Sequence, residues 1–301
     1  MSNNKNKDDK LVSVVMITYH TGDVLWKSID SVLEQNLLHE LIIVNNGNPK
    51  AFERKLKLLV ESSTNIKLIT GHGNIGFAAA CNLGAKEAQS EYLLLLNPDC
   101  KLPRKTFSTA IENLDNNPKA WVAGCKLVNE DGSEQRGGRR NLLDFQTLIT
   151  FGLKLDKWPY FKKFAKPLNL DKTPLPKSTK YVPAISGAFM FMNIGKYWRI
   201  GGMDEGYFLH VEDLDFCYQI KKLGGKIIYI PDLEVKHVGA TSNVTTLFLE
   251  RNKANGIIRY FEKNMKDKYP KGTVELVKFL SYAKLWLKMI CVKLTYKKAK
   301  A

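Results

Sequence analysis

Paired cysteines are missing from this sequence. The five present, Cys81, Cys100, Cys125, Cys217 and Cys291, are scattered with no Cys-x-x-Cys spacing, which argues against structural zinc and a disulfide framework. An apolar core is missing from the opening stretch MSNNKNKDDKLV as well, so we expect no secretory signal there. Together these absences lead us to expect a chain of the reducing cytoplasm. Long hydrophobic runs are also absent. The most apolar stretch near the end, TVELVKFLSYAKLWLKMICVKLTYKK, is broken by lysines at 278, 284, 288 and 293, so nothing in it is long enough to span a bilayer. Acid is scarce relative to base, 30 Asp and Glu against 46 Lys and Arg, for a net charge of +16. That excess implies an anionic partner such as nucleic acid, anionic lipid or a phosphorylated substrate. No helix-turn-helix, RNA-recognition motif or zinc module is recognisable, so nucleic acid rests on charge alone and we expect none to be bound.

What is present suits an α/β enzyme. A chain of 301 residues with 44% hydrophobic content is long enough for one large domain, or one domain with an appendage. The stretch LVSVVMIT reads as a buried strand, short, β-branched and followed by turn chemistry at Gly22 and Asp23. A helix pattern follows it, then strand ELIIVNNGN, helix FERKLKLLVESS, strand NIKLIT, a helix over 77–88 and strand EYLLLLNPD. Strands alternating with helices predict a mainly parallel sheet whose ligands bind at the carboxyl ends of the strands. Those ends carry Thr18, Tyr19, Asn45, Asn46, Asn97 and Asp99. Regular structure resumes at YVPAISGAFMFMN, continues through VEDLDFCYQIKKLGG, a helix closed by Gly224, and reaches strand KIIYI.

We therefore expect a disordered N-terminus over 1–10, a catalytic domain over 11–250 and a helical basic extension over 251–301. Within the domain, 141–180 reads as a mobile basic excursion, with Pro159, Pro167, Pro174 and Pro176 and the aromatic-lysine stretch KWPYFKKFAKPL. The final segment from Arg251 holds 14 Lys and Arg against 3 Asp and Glu, a balance of +11, so most of the excess charge lies there.

Gly71, Gly73 and Gly76 have the G-x-G-x-x-G spacing of a dinucleotide fingerprint. They follow the third predicted strand rather than the first, and the acid closing the next strand sits in Asn97-Pro98-Asp99, which turns the chain away. A tight strand-to-helix connection with positive φ accounts for the glycines as well. The stretch GGMDEGYFLHVEDLDFC places Asp204, Glu205, Glu212, Asp213 and Asp215 among aromatics and glycines. Acids at a helix start are often caps or dipole partners, but apolar neighbours also suit a carboxylate held as a general base, for which Asp213 is the candidate. His237, after a strand, reads as a metal ligand, a base or a hydrogen-bonded core histidine.

In order along residues 11–261, SVVMITYH, SVLEQ, ELIIVNNGN, GNIGFAAACNLGAKEAQSEYLLLLNPD, ISGAFMFMN, GGMDEGYFLHVEDLDFCYQIKKLGGKIIYIPDLEVKHVG and RNKANGIIRYF resemble the family 2 glycosyltransferases, in particular their rhamnosyltransferase-like branch. The resemblance implies a GT-A type fold, a mainly parallel sheet flanked by helices with a Rossmann-like nucleotide-binding half, here carrying the C-terminal basic extension. It implies inverting transfer of a sugar, L-rhamnose from dTDP-rhamnose in this branch, from a nucleotide diphosphate donor to a hydroxyl of a lipid-linked saccharide in cell-surface polysaccharide synthesis. By resemblance, Thr18, Tyr19, Asn45, Gly76, Asn82 and Asn97 bind the donor, Asp99 and His237 hold a divalent metal, Mg2+ or Mn2+, and Asp213 is the base. Asn45 stands where an aspartate is common, and Asn97 replaces the first acid of the D-x-D metal motif.

On the acceptor side we expect Ser186, Glu212, Arg139 and Arg140, the guanidinium groups suiting phosphate oxygens. The tail, with Leu285, Trp286 and Leu287 beside lysines, suits an anionic membrane surface and a peripheral position on its cytoplasmic face; a core-packed terminal helix is the other reading. Two other functions compete: an inactive transferase-like assembly subunit, motivated by Asn45 and Asn97, and a basic nucleic-acid-binding protein.

Overall fold

The structure is a computed structural model that describes residues 10–153, 160, 163, 165–239, 241 and 244–298. Its first half alternates as the periodicity predicts. Strand β1 (Val12–Thr18), helix α1 (Val24–Leu33), β2 (Leu38–Asn45), α2 (Lys50–Glu61), β3 (Ile66–Ile69), α3 (Phe77–Glu87) and β4 (Tyr92–Leu96) follow one another. Every residue of β1 and of β4 is buried, as continuous apolar strands covered on both faces must be.

The second half is mixed. Strand β5 (Cys100–Lys101), α4 (Thr106–Asp115), β6 (Ala120–Val128), β7 (Arg139–Arg140) and α5 (Phe145–Leu153) lead to β8 (Lys180–Tyr181), β9 (Ala184–Ile185), β10 (Phe189–Asn193) and α6 (Ile194–Ile200). Helix α7 (Glu212–Lys222), β11 (Lys226–His237), α8 (Thr246–Asn264) and α9 (Thr273–Lys298) complete the chain. The main sheet runs β3-β2-β1-β4-β10-β6-β11-β5, with β8 also on β11. The pairs β1 with β2, β2 with β3, β1 with β4 and β6 with β11 are parallel, while β10 is antiparallel to both β4 and β6. Strand β6, which the sequence pattern did not single out, sits inside this sheet.

This arithmetic of directions decides where the chemistry gathers. Because β10 reverses between two strands that run the same way, its first residue lies at the edge where β1, β2, β4 and β11 end. Thr18, Asn45, Asn97, Asp99, the 186–188 segment and His237 therefore share one edge.

Two hydrophobic layers sandwich the sheet. One includes Leu25, Ile29, Leu56, Phe107 and Ile111 under α1, α2 and α4, and the other Ala80, Tyr197, Phe216, Tyr260 and Phe261 under α3, α6, α7 and α8. Tyr260, Phe261, Met265 and Val277 belong to the second layer, so the expected boundary at 250/251 falls inside a helix that is part of the core. Only α9 beyond Val277 leaves it. At the other end Lys10, expected to be disordered, pairs with Asp115 at 2.5 Å; the remainder of that expected segment lies outside the described residues. So do Trp158, Phe161 and Phe164 of the excursion, whose described parts include α5 and strand pairing of Arg140 with Asn169.

Candidate active site

The glycine-rich turn comes first. Gly71, Gly73 and Gly76 all have positive φ, 97°, 69° and 87°, a conformation that favours glycine. Gly76 has a second constraint: a Cβ there would lie 2.7 Å from the Phe208 carbonyl oxygen, which accepts a 2.8 Å hydrogen bond from the Phe77 N–H. The turn is tied to the neighbouring strand ends by asparagines. Asn46 Oδ1 accepts from Ile75 N–H at 3.1 Å, and its Nδ2 donates to Asn74 Oδ1. Asn48 Nδ2 donates to the Thr18 carbonyl and to Asn45 Oδ1, each at 2.9 Å, and Asn45 Nδ2 donates to Thr70 Oγ1. Thr18, Asn45 and Gly76 are thus brought into one network, with Tyr19 edge-on against His20 beside it.

Asn82 departs from its expected place on the donor. Its Oδ1 accepts from the Tyr197 hydroxyl at 2.5 Å and Met203 N–H at 2.9 Å, and its Nδ2 donates to the Met203 carbonyl and Glu205 Oε1. With both lone pairs and both hydrogens committed, Asn82 clips the 203–205 loop onto α3.

The second cluster forms where β4 and β11 end. Asp99 is buried; its Oδ2 accepts from Gly239 N–H at 2.9 Å and Thr241 Oγ1 at 3.1 Å, while Oδ1 faces His237 Nε2 at 3.2 Å. Burial pushes the Asp99 carboxyl up, and the His237 ring, Thr241 and Gly239 more than offset it, leaving its pKa below the ordinary value. Gln135 sets the ring. Its Nε2 donates to the His237 carbonyl at 3.0 Å and to Asn129 Oδ1 at 3.2 Å, so its Oε1 is what meets His237 Nδ1 at 2.5 Å. An amide oxygen only accepts, so Nδ1 carries the proton and Nε2 turns toward Asp99.

Oδ1 and Nε2 thus turn their lone pairs toward one gap. The 3.2 Å separation of Oδ1 and Nε2 is close to the roughly 3 Å edge of an octahedron with bonds of about 2.1 Å. The two residues therefore fit a hard divalent ion. Cys100 lies within the same group, but burial raises its thiol pKa well above the ordinary value, which leaves it a protonated and poor ligand. Asn97 Nδ2 lies 3.3 Å from His237 Nε2.

A third cluster surrounds Asp213 on the first turn of α7. Its Oδ2 accepts from Arg140 Nη2 and, at 3.0 Å, from Gly187 N–H, and its Oδ1 from Leu214 N–H at 2.8 Å. Arg140 Nη2 also donates to the Ile185 carbonyl at 2.7 Å. Burial raises the Asp213 carboxyl, but the Arg140 charge and these bonds keep it below the ordinary range. Its neighbour Glu212 goes the other way: burial, then the Asp213 charge, push it up to about 8, and its Oε2 is buried without a partner among the described residues. Adjacent carboxyls are driven apart, one ionised and one neutral at pH 7.

The turn leading into α7 is strained. His210 and Val211 have φ of 69° and 76°, a conformation costing about 1–3 kcal/mol per non-glycine residue. Gly256 of α8 holds it closed, since a Cβ there would sit 2.7 Å from the His210 carbonyl oxygen. Burial, then the nearby Lys253 charge, lower the His210 ring to about 4.

One tripeptide joins the last two clusters. Gly187 N–H bonds Asp213, the Ala188 carbonyl accepts from Asn97 N–H at 2.9 Å, and Ser186 Oγ accepts from Ala188 N–H at 3.2 Å. Ser186, Glu212 and Arg140 are accordingly gathered around Asp213. Arg139 is not: on a strand it points to the opposite face from its neighbour. Its guanidinium is consumed by Glu134 at 2.6 and 3.0 Å, Thr173 at 2.8 and 3.0 Å and the Pro174 carbonyl at 3.3 Å. Its expected role in gripping a diphosphate is replaced by that of an internal clamp on the 173–174 segment. Gln135, His210, Thr241 and Gly256 were missed by sequence reasoning; Gln135 carries no local signal within EQRGGRR, whereas Gly256 lies in RNKANGIIRYF, a stretch already singled out.

The sequence profile described as Glycosyl transferase family 2 matches residues 13–174. The chain is similar to rhamnosyltransferase WbbL of Escherichia coli, 22% identical over 246 residues that cover 77% of this chain and 85% of that protein. It is also similar to the N-acetylglucosaminyl-diphospho-decaprenol L-rhamnosyltransferase of Mycobacterium tuberculosis, 23% identical over 244 residues, covering 77% of each. Among solved structures, GalNAc-T7 with UDP, GalNAc and Mn2+ superimposes with a TM-score of 0.58 at 16% identity, over 97% of this chain and 58% of that one. The mannosyltransferase PcManGT of Pyrobaculum calidifontis, with GDP-Man and Mn2+, gives 0.56 at 16% identity, over 96% and 79%. These two likenesses establish the GT-A fold.

Proposed function

Given that the chain belongs to glycosyl transferase family 2, on its rhamnosyltransferase-like side, we propose that it moves L-rhamnose from dTDP-rhamnose to a hydroxyl of a lipid-linked saccharide. The anomeric centre inverts, and the reaction serves cell-surface polysaccharide synthesis at the cytoplasmic face of a membrane. Support for the sugar and the acceptor comes from the names of the relatives. The observation that carries the reaction class is the joining of the Asp213 cluster to the Asn97, Asp99 and His237 cluster through residues 186–188.

The chemistry follows from these atoms. The acceptor oxygen attacks the anomeric carbon from the face opposite the diphosphate, its proton passes to Asp213, and the bond to the nucleoside diphosphate breaks. Oδ2 of Asp213 already carries two donors and Oδ1 one, so a lone pair of Oδ1 is free to take that proton. Glu212, neutral near pH 7, offers an acid O–H to an acceptor oxygen. Arg140 keeps Asp213 ionised. Asp99 Oδ1 and His237 Nε2 would hold a Mg2+ or Mn2+ ion, which when bound neutralises charge on the leaving diphosphate. Thr18, Tyr19, Asn45 and the Gly71–Gly76 turn supply the walls for the nucleotide.

The test pairs binding with turnover. Thermal-shift screening of nucleotide sugars with each metal should single out dTDP-rhamnose, and Asp213→Asn should abolish transfer while donor-induced stabilisation persists. Normal turnover by that variant would remove Asp213 as the base, and a stronger response to another nucleotide sugar would replace the donor.

A further inference from the structure

Helix α9 is the one long element of the described chain whose apolar residues face two ways. Val277 is fully buried against the core, and Lys278 pairs with Glu262 of α8 and Glu275 of its own helix at 2.9 and 3.0 Å. One side of the helix is thereby accounted for. On the other, Leu276, Phe279, Leu280, Tyr282, Trp286 and Leu287 are exposed by 44, 67, 46, 52, 62 and 57%. At about 100° per residue these six fall within one arc of roughly 160°. Beyond the Leu280 edge of that arc lie Lys284, about 40° past it, and Lys288, about 80° past it. No helix among the described residues is long and apolar enough to cross a membrane.

An arc of large apolar side chains left uncovered calls for an occupant, and charge selects it. Residues 251–301 carry 14 Lys and Arg against 3 Asp and Glu. A second copy docked on the same arc would bring two such basic segments together, whereas an anionic bilayer meets apolar side chains with its acyl boundary and lysines with its headgroups. We propose that the Leu276–Leu287 face of α9 docks on an anionic lipid surface, lying in the headgroup plane. The proposal deepens the reading of a lipid-linked acceptor given above but stands on α9 itself, so its test involves no sugar.

Full-length protein should co-sediment with phosphatidylcholine vesicles containing phosphatidylglycerol, far less with phosphatidylcholine alone, and less as salt is raised. The double variant Phe279→Glu and Trp286→Glu should lose about tenfold or more of the partition coefficient. Lys288→Gln should lose about fivefold, on anionic vesicles only. Leu58→Glu, a charge placed on an exposed apolar residue of α2 (64% exposed), should bind as the unaltered chain does and controls for charge alone. Circular dichroism and thermal melts identify any misfolded variant, in which case Lys288→Gln carries the test. Equal sedimentation of the unaltered chain and a folded double variant, or no sedimentation with anionic vesicles, would overturn the proposal. So would a dimer in sedimentation equilibrium that the same substitutions dissolve. Because vesicle binding is read without donor or acceptor, a failure here leaves the assigned reaction standing, and a failed transfer assay leaves the docking face standing.

Discussion

Replacing Arg140 by methionine removes the charge that keeps Asp213 ionised while filling much of the same volume. The two side chains are only 14% and 13% exposed, and leaving one partner of a buried pair alone costs about 3–5 kcal/mol. Taking about 3 kcal/mol for this slightly wet pair, at 1.36 kcal/mol per pH unit the Asp213 titration moves up by about 2 units. The sign matters for stability. In the native chain the Asp213 pKa is depressed, so its contribution is present at neutral pH and lost as the pH falls through the folded value. In Arg140→Met only the Gly187 and Leu214 N–H bonds still oppose burial, the folded pKa rises, and stability instead declines as pH rises toward the new value. Initial rates of nucleoside diphosphate release across pH should show the acid limb of kcat/KM displaced upward by about 2 units, with Arg140→Lys in between. Thermal melts over the same range should show the reversed slope. An acid limb that stays in place would refute the pairing as the cause of Asp213 ionisation.

Three further outcomes are expected. Gln135→Ala frees the His237 ring and should weaken Mn2+ binding by about 10–100-fold, measured by titration calorimetry, with little change in the melting temperature of the metal-free protein. Gly256→Ala forces a Cβ against the His210 carbonyl and should destabilise by about 1–3 kcal/mol, with a fall in kcat and an unaltered donor-induced thermal shift. Glu212, raised from 4.5 to about 8 in the folded chain, makes stability fall as pH climbs between those values; Glu212→Gln should flatten that slope, gaining melting temperature at pH 8 relative to the unaltered chain and little at pH 5.

The parallel half of the fold was legible because strands such as VSVVMIT and YLLLL are buried on both faces and write that burial as unbroken apolar runs. Asp213 could be singled out because GGMDEGYFLHVEDLDFC is unusual in composition by itself, whereas Asp99 and His237 took their metal role from the family resemblance. Pairing was not legible. Strand β6 takes its place beside β10 and β11 through partners far along the chain, and no periodicity within AWVAGCKLV announces them. Arg139 and Arg140 look interchangeable in sequence, yet the alternation of a two-residue strand sends one to Glu134 and the other to Asp213. Asn82 stands in a stretch that suggested the donor, and only the arrival of Met203 and Glu205 reveals how fully its amide is spent.

The Ser186-Gly187-Ala188 segment makes β10 a common ruler for two chemistries. Side chains alternate along a strand and a slip of one residue exchanges its faces. A misregistered β10 would withdraw Gly187 N–H from Asp213 and the Ala188 carbonyl from Asn97 in the same event. On the roles proposed above, donor-side and base-side geometry would fail together, and a chain folded with that fault would be silent rather than a hydrolase that spills an activated sugar into water.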